Sequence, residues 1–188
     1  MTTQRLFVGL SLPLPVRDDL TMLMRRLEGV RWIPSENLHL TLRFLGETDE
    51  TRRRQIETTL ERVRVEPFVL PVEGVGIFPP RGPAKILWAG LGNAHTRLFQ
   101  LRKQVDEALL SIDPTLDIRH FSPHITIGRL TEQHDPKALA KYLHHHAKFE
   151  APPFRVSEFQ LFASDGGRSG APPRYAVLRS FALESRTS

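Results

Sequence analysis

Apolar and polar positions alternate with a period of two in Leu38-His39-Leu40-Thr41-Leu42-Arg43-Phe44-Leu45-Gly46, and again in Ser122-Pro123-His124-Ile125-Thr126-Ile127-Gly128-Arg129. That period predicts two half-buried β-strands. On the first, His39 and Thr41 share one face and Leu40 and Leu42 the other. On the second, His124 and Thr126 stand together opposite Ile125 and Ile127. An imidazole and a hydroxyl thus lie side by side, twice, on strands whose other face suits a core. The same count places Arg43 on the histidine face and sends Phe44 into packing.

The rest of the pattern predicts a strand over Leu6 to Leu12, ended by Pro13 and Pro15. Apolar residues at helical spacing follow from Pro15 to Glu28, with Gly29 as a stop. Arg31 to Asn37 reads as a connecting segment. Asp49 is an N-cap for a helix reaching about Val65, with Arg52, Arg53 and Arg54 on its outer side. Phe68 to Ile77 reads as a strand interrupted by Gly74 and Gly76. The turn-rich Phe78-Pro79-Pro80-Arg81-Gly82-Pro83 is expected to join two halves. Lys85 to Leu91 then reads as a strand, Thr96 to Ser111 as a helix, and Asp135-Pro136 as the capped start of a helix reaching about His146. Phe154 to Phe162 and Tyr175 to Phe181 are expected as the last strands. Ser164 to Pro173, rich in Gly and Pro, is expected as a mobile loop.

Each half repeats one order: strand, helix, His-x-Thr strand, helix, strand. The motif histidines stand 85 positions apart (124 − 39), and the strands beginning at Phe68 and Phe154 stand 86 apart (154 − 68). This near-constant offset predicts a duplicated unit within one domain spanning 1–188. The expected lobes are 1–80 and 83–188, with room for strand exchange between them. Packed about a pseudo-dyad, they would bring both His-x-Thr strands to one cleft.

Composition narrows the chemistry. At 188 residues, with 40% hydrophobic and 25% charged positions, the chain predicts a folded domain rather than a disordered one. The absence of cysteine excludes disulfides, thiolate metal sites and cysteine nucleophiles. A net charge of +5 favours a polyanionic partner. The apolar run after Met1 is too short for a signal peptide or a membrane span, so a cytoplasmic location is expected.

Opening a phosphodiester requires one proton transfer from the nucleophile and one to the leaving oxygen. Histidine, with an ordinary pKa of about 6.5, serves either role near neutral pH. Threonine hydroxyls two residues along can hold the non-bridging phosphoryl oxygens. The motifs contain no carboxylate, so no metal and no cofactor is expected.

His39-Leu40-Thr41-Leu42 and His124-Ile125-Thr126-Ile127 resemble the paired His-x-Thr-x signatures of the 2H phosphoesterase superfamily. The longer forms, His39 to Gly46 and Pro123 to Arg129, are most similar to its RNA 2′,3′-cyclic phosphodiesterase branch, also called 2′-5′ RNA ligases. Trp32-Ile33 and Ile86-Leu87-Trp88 extend the likeness over nearly the whole chain. The resemblance implies a bilobal α/β fold of α+β type, with antiparallel sheets lining a cleft and helices outside. It implies metal-independent hydrolysis of a terminal 2′,3′-cyclic phosphate to a 2′-phosphomonoester, with reversible 2′-5′ ligation in some members. Carried onto this chain, it makes His39 the proton donor to the departing 3′-oxygen and His124 the acceptor that activates water. Thr41 and Thr126 hold phosphoryl oxygens, and Arg129 is a phosphate ligand. Strand parity turns Arg129 away from the histidines unless the strand ends or bulges there. Arg43 joins the list on parity alone, as a phosphate or RNA contact.

The expected partner is an RNA or oligonucleotide end bearing the cyclic phosphate, with no membrane, no obligate protein partner and a monomeric chain. Two other readings stay open at this point. One keeps the chemistry but acts on small cyclic nucleotides, an ADP-ribose cyclic phosphate or 2′-5′ linked oligonucleotides. The other is a non-catalytic nucleotide- or RNA-binding module. His144-His145-His146 reads as a solvated helix end, and His95, His120 and His134 as surface residues. Arg52 to Arg54 read as an exposed helix face. If one aromatic stacks on a terminal base, Trp32 is the choice.

Overall fold

The structure, a computed structural model, describes residues 3–24, 27–94, 96–117, 120–166 and 173–184. In chain order its elements are β1 (Gln4–Ser11), α1 (Leu14–Leu23), β2 (Val30–Trp32), β3 (His39–Thr48), α2 (Glu50–Leu60), β4 (Phe68–Glu73), β5 (Val75–Phe78), β6 (Ile86–Ala89), α3 (Thr96–Leu110), β7 (Ile125–Leu130), α4 (Pro136–His145), β8 (Glu150–Val156), β9 (Glu158–Ser164) and β10 (Tyr175–Ala182). A single 3₁₀ turn, Ser35–Asn37, precedes β3. The fold is α+β, with two antiparallel sheets.

The larger sheet runs β10-β9-β1-β3-β7-β6-β5, with β2 also paired to β7; the smaller is β4-β8. The two His-x-Thr strands are therefore neighbours in one sheet, joined where Leu40 pairs with Ile125. Leu40, Leu42, Ile125 and Ile127 are buried in one core with Leu98, Leu101, Val105 and Leu109 of α3. Each such burial contributes about 1.5–3 kcal/mol. Both motif strands are held flat by this shared apolar face, which leaves the opposite face for chemistry. The late strand β9 pairs with both β1 and β10, so early and late segments of the chain build one flank of the sheet.

Local chemistry explains the element ends. Asp49 caps α2 by accepting from the Arg52 N–H, and Asp135 caps α4 by accepting from Lys137 N–H with Pro136 following. Helix α1 stops at Leu23, short of the expected Glu28, and the Leu23 carbonyl accepts the Tyr142 hydroxyl at 3.0 Å. Residues 68–77 form two strands rather than one. Gly74, at φ +70°, turns the chain from the small sheet into the large one. The 154–162 stretch is likewise split, between β8 and β9. Because β5 and β6 pair with each other, the segment from Pro79 to Lys85 is a hairpin connection and not the link between halves expected from its turn residues. Most of the Ser164–Pro173 stretch, and His95, lie outside the described residues. No helix among the described residues is long and apolar enough to cross a membrane.

Candidate active site

His39 and His124 meet on the solvent face of the large sheet. Extending the Leu40–Ile125 register sets His39 opposite Thr126 and Thr41 opposite His124. Directly opposed residues share a face and have Cβ atoms about 4.5–5.5 Å apart, and diagonal neighbours lie about 7–8 Å apart. Two imidazoles on one diagonal and two hydroxyls on the other form a square.

Both rings are oriented in the same way. The Nδ1–H of His39 donates to the Asn37 carbonyl at 2.7 Å, and that of His124 to the Ser122 carbonyl at 2.8 Å. In each case the acceptor is two residues upstream, so the local chain fixes the tautomer and points Nε2 outward. Nε2 of His39 lies 3.0 Å from Thr41 Oγ1, whose hydroxyl donates to it while the ring is neutral. Burial, and then the nearby His124 charge, lower the His39 pKa against the opposing hydrogen bond to Asn37.

Aromatic rings close both flanks. Phe7 and Tyr175 pack 4.8 and 5.0 Å from His39, and Phe78 meets His124 edge-on at 5.0 Å with Trp88 behind it. Asn37, buried, donates from Nδ2 to the Pro173 carbonyl at 2.6 Å. Of these residues only Trp88 stood out in the sequence, as part of the family likeness, and none was assigned to the site.

Two β-bulges decide which arginines face the site. On β7, Trp88 pairs with Thr126 but Leu87 pairs with Gly128, which leaves Ile127 as an extra residue. Beyond it the faces swap: Gly128 turns to the core and Arg129 to the site. The Arg129 charge reaches the Tyr175 hydroxyl, where it partly offsets the upward shift caused by burial. On β3, Gly9 pairs with Thr41 but Val8 with Arg43, so Leu42 is the extra residue.

This bulge reverses two expectations. Arg43 does not lie on the site face; it is 7% exposed, 3.3 Å from Asp106, and donates to the Asp117 carbonyl at 2.7 Å. Arg102 completes the cluster, bonding Asp106 at 2.6 Å and the Leu42 carbonyl. Phe44, expected in the core, stands 70% exposed beside Phe7. A cavity of about 540 Å³ opens beside Thr41, His124 and Phe44, with Arg43 and Arg102 beneath it.

Trp32 belongs to a strand, not a loop. It pairs with Gly128 on the core side and packs toward Tyr142, 6.0 Å away, so it offers no face to the site. Arg52, Arg53 and Arg54 are engaged by Asp113, Glu50 and Glu57. His144 and His145 sit in the last turn of α4, and no group of three or more metal-ligating side chains converges among the described residues.

A model of the LigT-like phosphoesterases matches residues 10–88 and 91–172, two successive copies that each contain one His-x-Thr strand. The chain belongs to the LigT-like phosphoesterase family. Relatives named RNA 2′,3′-cyclic phosphodiesterase include one from Archaeoglobus fulgidus, 32% identical over 94% of this chain and 99% of its own length. Another, from Escherichia coli, is 27% identical over 96% of this chain and 97% of its own. Among solved structures, a Thermus thermophilus protein matches with a TM-score of 0.81 at 25% identity, covering 97% of this chain and 100% of that one. E. coli LigT complexed with 3′-AMP matches with a TM-score of 0.77 at 26% identity, covering 97% and 99%.

Proposed function

We propose that this phosphoesterase opens the 2′,3′-cyclic phosphate at an RNA or oligonucleotide end, leaving a 2′-phosphomonoester, without a metal. The observation that carries this reading is the square of two Nε2 atoms and two hydroxyls on one solvent-facing sheet surface. A phosphoryl group above it meets a proton donor, a proton acceptor and two hydrogen-bond donors at once. The family's curated relatives carry the name of this activity, and E. coli LigT has been solved with phosphate and with 3′-AMP.

In this reading His124 takes the proton of the attacking water, and the electron pair of the breaking P–O bond leaves on the 3′-oxygen, which His39 protonates. Thr41, Thr126 and Arg129 hold the phosphoryl oxygens. The two halves contribute one motif each and meet at the β3–β7 seam. A cytoplasmic location is part of the same proposal.

One observation favours the reverse assignment: burial lowers the His39 pKa and so disfavours its charged ring. A phosphodiester anion between the rings restores the proton, because an adjacent negative charge favours imidazolium. Leaving-group dependence separates the two. Losing the general acid costs little when the leaving group is p-nitrophenolate and much when it is a ribose oxygen. His39→Ala is therefore expected to be far less impaired on a p-nitrophenyl phosphodiester than on the cyclic phosphate, and His124→Ala equally impaired on both. The opposite pattern exchanges the roles.

The function itself is tested with an oligoribonucleotide ending in a 2′,3′-cyclic phosphate, incubated with excess chelator. The expected product is a 2′-phosphate end, and each histidine-to-alanine variant loses about 10²–10⁴-fold in turnover. Binding without turnover would instead establish a nucleotide-binding module.

A further inference from the structure

Two arginines face each other on the site side of the sheet, and folding alone gives no reason for it. Register pairs Arg31 of β2 directly with Arg129 of β7. Both are exposed, and neither has an ion-pair or hydrogen-bond partner among the described residues. Arg52, Arg53 and Arg179, by contrast, are each matched with a carboxylate. Like charges directly opposed across a strand pair are destabilising, so this pair is suited to a bound anion rather than to the free fold.

The pleat fixes where these charges point. Val30 and Trp32, on either side of Arg31, pack against the core, which leaves Arg31 on the opposite face. Arg129 reaches that face through the Ile127 bulge and lies beyond Thr126 on the same strand. Its charge acts on Tyr175, whose ring packs against His39. The arginine pair therefore continues the imidazole–hydroxyl square along β7 and out of the site. The cyclic phosphate carries a single negative charge, and the square with Arg129 already answers it. A second guanidinium alongside calls for a second anion.

We infer that Arg31, paired with Arg129, binds the phosphodiester preceding the terminal nucleotide, so that the chain prefers RNA ends of two or more nucleotides to nucleoside 2′,3′-cyclic phosphates. This rests on the proposed function and chooses between its substrate classes. A guanidinium suits the contact because its planar donors engage two oxygens of one phosphate. The contact is to the backbone, so it carries no base preference.

The test compares kcat/KM for a dinucleotide ending in a 2′,3′-cyclic phosphate with that for the matching mononucleotide. In Arg31→Thr the dinucleotide-to-mononucleotide ratio is expected to fall about tenfold. The log–log salt dependence for the dinucleotide should flatten by about one, the signature of one lost phosphate contact. Arg31→Lys should recover the salt slope. A ratio that is unchanged, or two substrates that lose activity equally, would overturn the inference and leave the proposed function standing. A wild-type chain that opens neither ester takes down both.

Discussion

The His39 proton that the proposed mechanism moves also bears on stability. The folded pKa of His39 lies below the ordinary 6.5 because burial penalises the charged ring and His124 repels it. The unfolded chain therefore takes up this proton before the folded one does, and stability falls as pH drops from above 6.5 through the folded pKa. Above that window His39 contributes no pH dependence. Chemical denaturation at pH 7.5 and 5.5 should show a loss on the acid side that is smaller in His39→Gln. An equal loss in both proteins would mean that other groups carry it. The residues that hold the rings were less legible than the rings themselves. His39, Thr41, His124 and Thr126 stood out because the sequence states them twice. Phe7, Phe162 and Tyr175 are scattered along the chain, and only the pairing of β1, β9 and β10 gathers them at His39.

At the scale of elements, alternation predicted both motif strands, but the bulges at Leu42 and Ile127 were hidden. A bulge is a mismatch of two strands, and one strand's pattern does not contain it. The Leu42 bulge put Arg43 among Asp106 and Arg102, where two guanidinium groups share one carboxylate in the core. This cluster ties α3 to the Leu42 carbonyl of β3 and to the Asp117 carbonyl ahead of β7, so it braces both motif strands. Asp106→Ala leaves two buried cations uncompensated and is expected to cost about 3–5 kcal/mol in denaturant unfolding. Gly76 has a comparable role on the other flank, since a Cβ there would lie 2.2 Å from the Trp88 indole. Gly76→Ala should cost about 1–3 kcal/mol and disturb the Phe78 contact with His124. By contrast, Arg31→Thr relieves a like-charge pair and should stabilise the fold by about 0.2–1 kcal/mol, readable as a raised Tm.

On the scale of the whole molecule, the site exists because two similar units place their motif strands edge to edge. The offset near 85 residues between motif histidines predicted that both strands would reach one cleft, though not that they would pair within one sheet. What the offset did not contain is which strand goes to which sheet. The single runs 68–77 and 154–162 each divide, sending β4 and β8 to a separate ladder while β5 and β9 extend the main sheet. The divisions fall at Gly74, with its positive φ, and at Ser157, between β8 and β9. The proposed reaction depends on one phosphate touching both imidazoles. NMR titration of the imidazole nitrogens, with and without a nucleoside 2′-phosphate, measures this directly. Binding should shift the imidazole nitrogen resonances of His39 and His124 together, with one Kd, because a single anion lies against both rings. A shift confined to one ring, or two shifts that saturate at different concentrations, would contradict it.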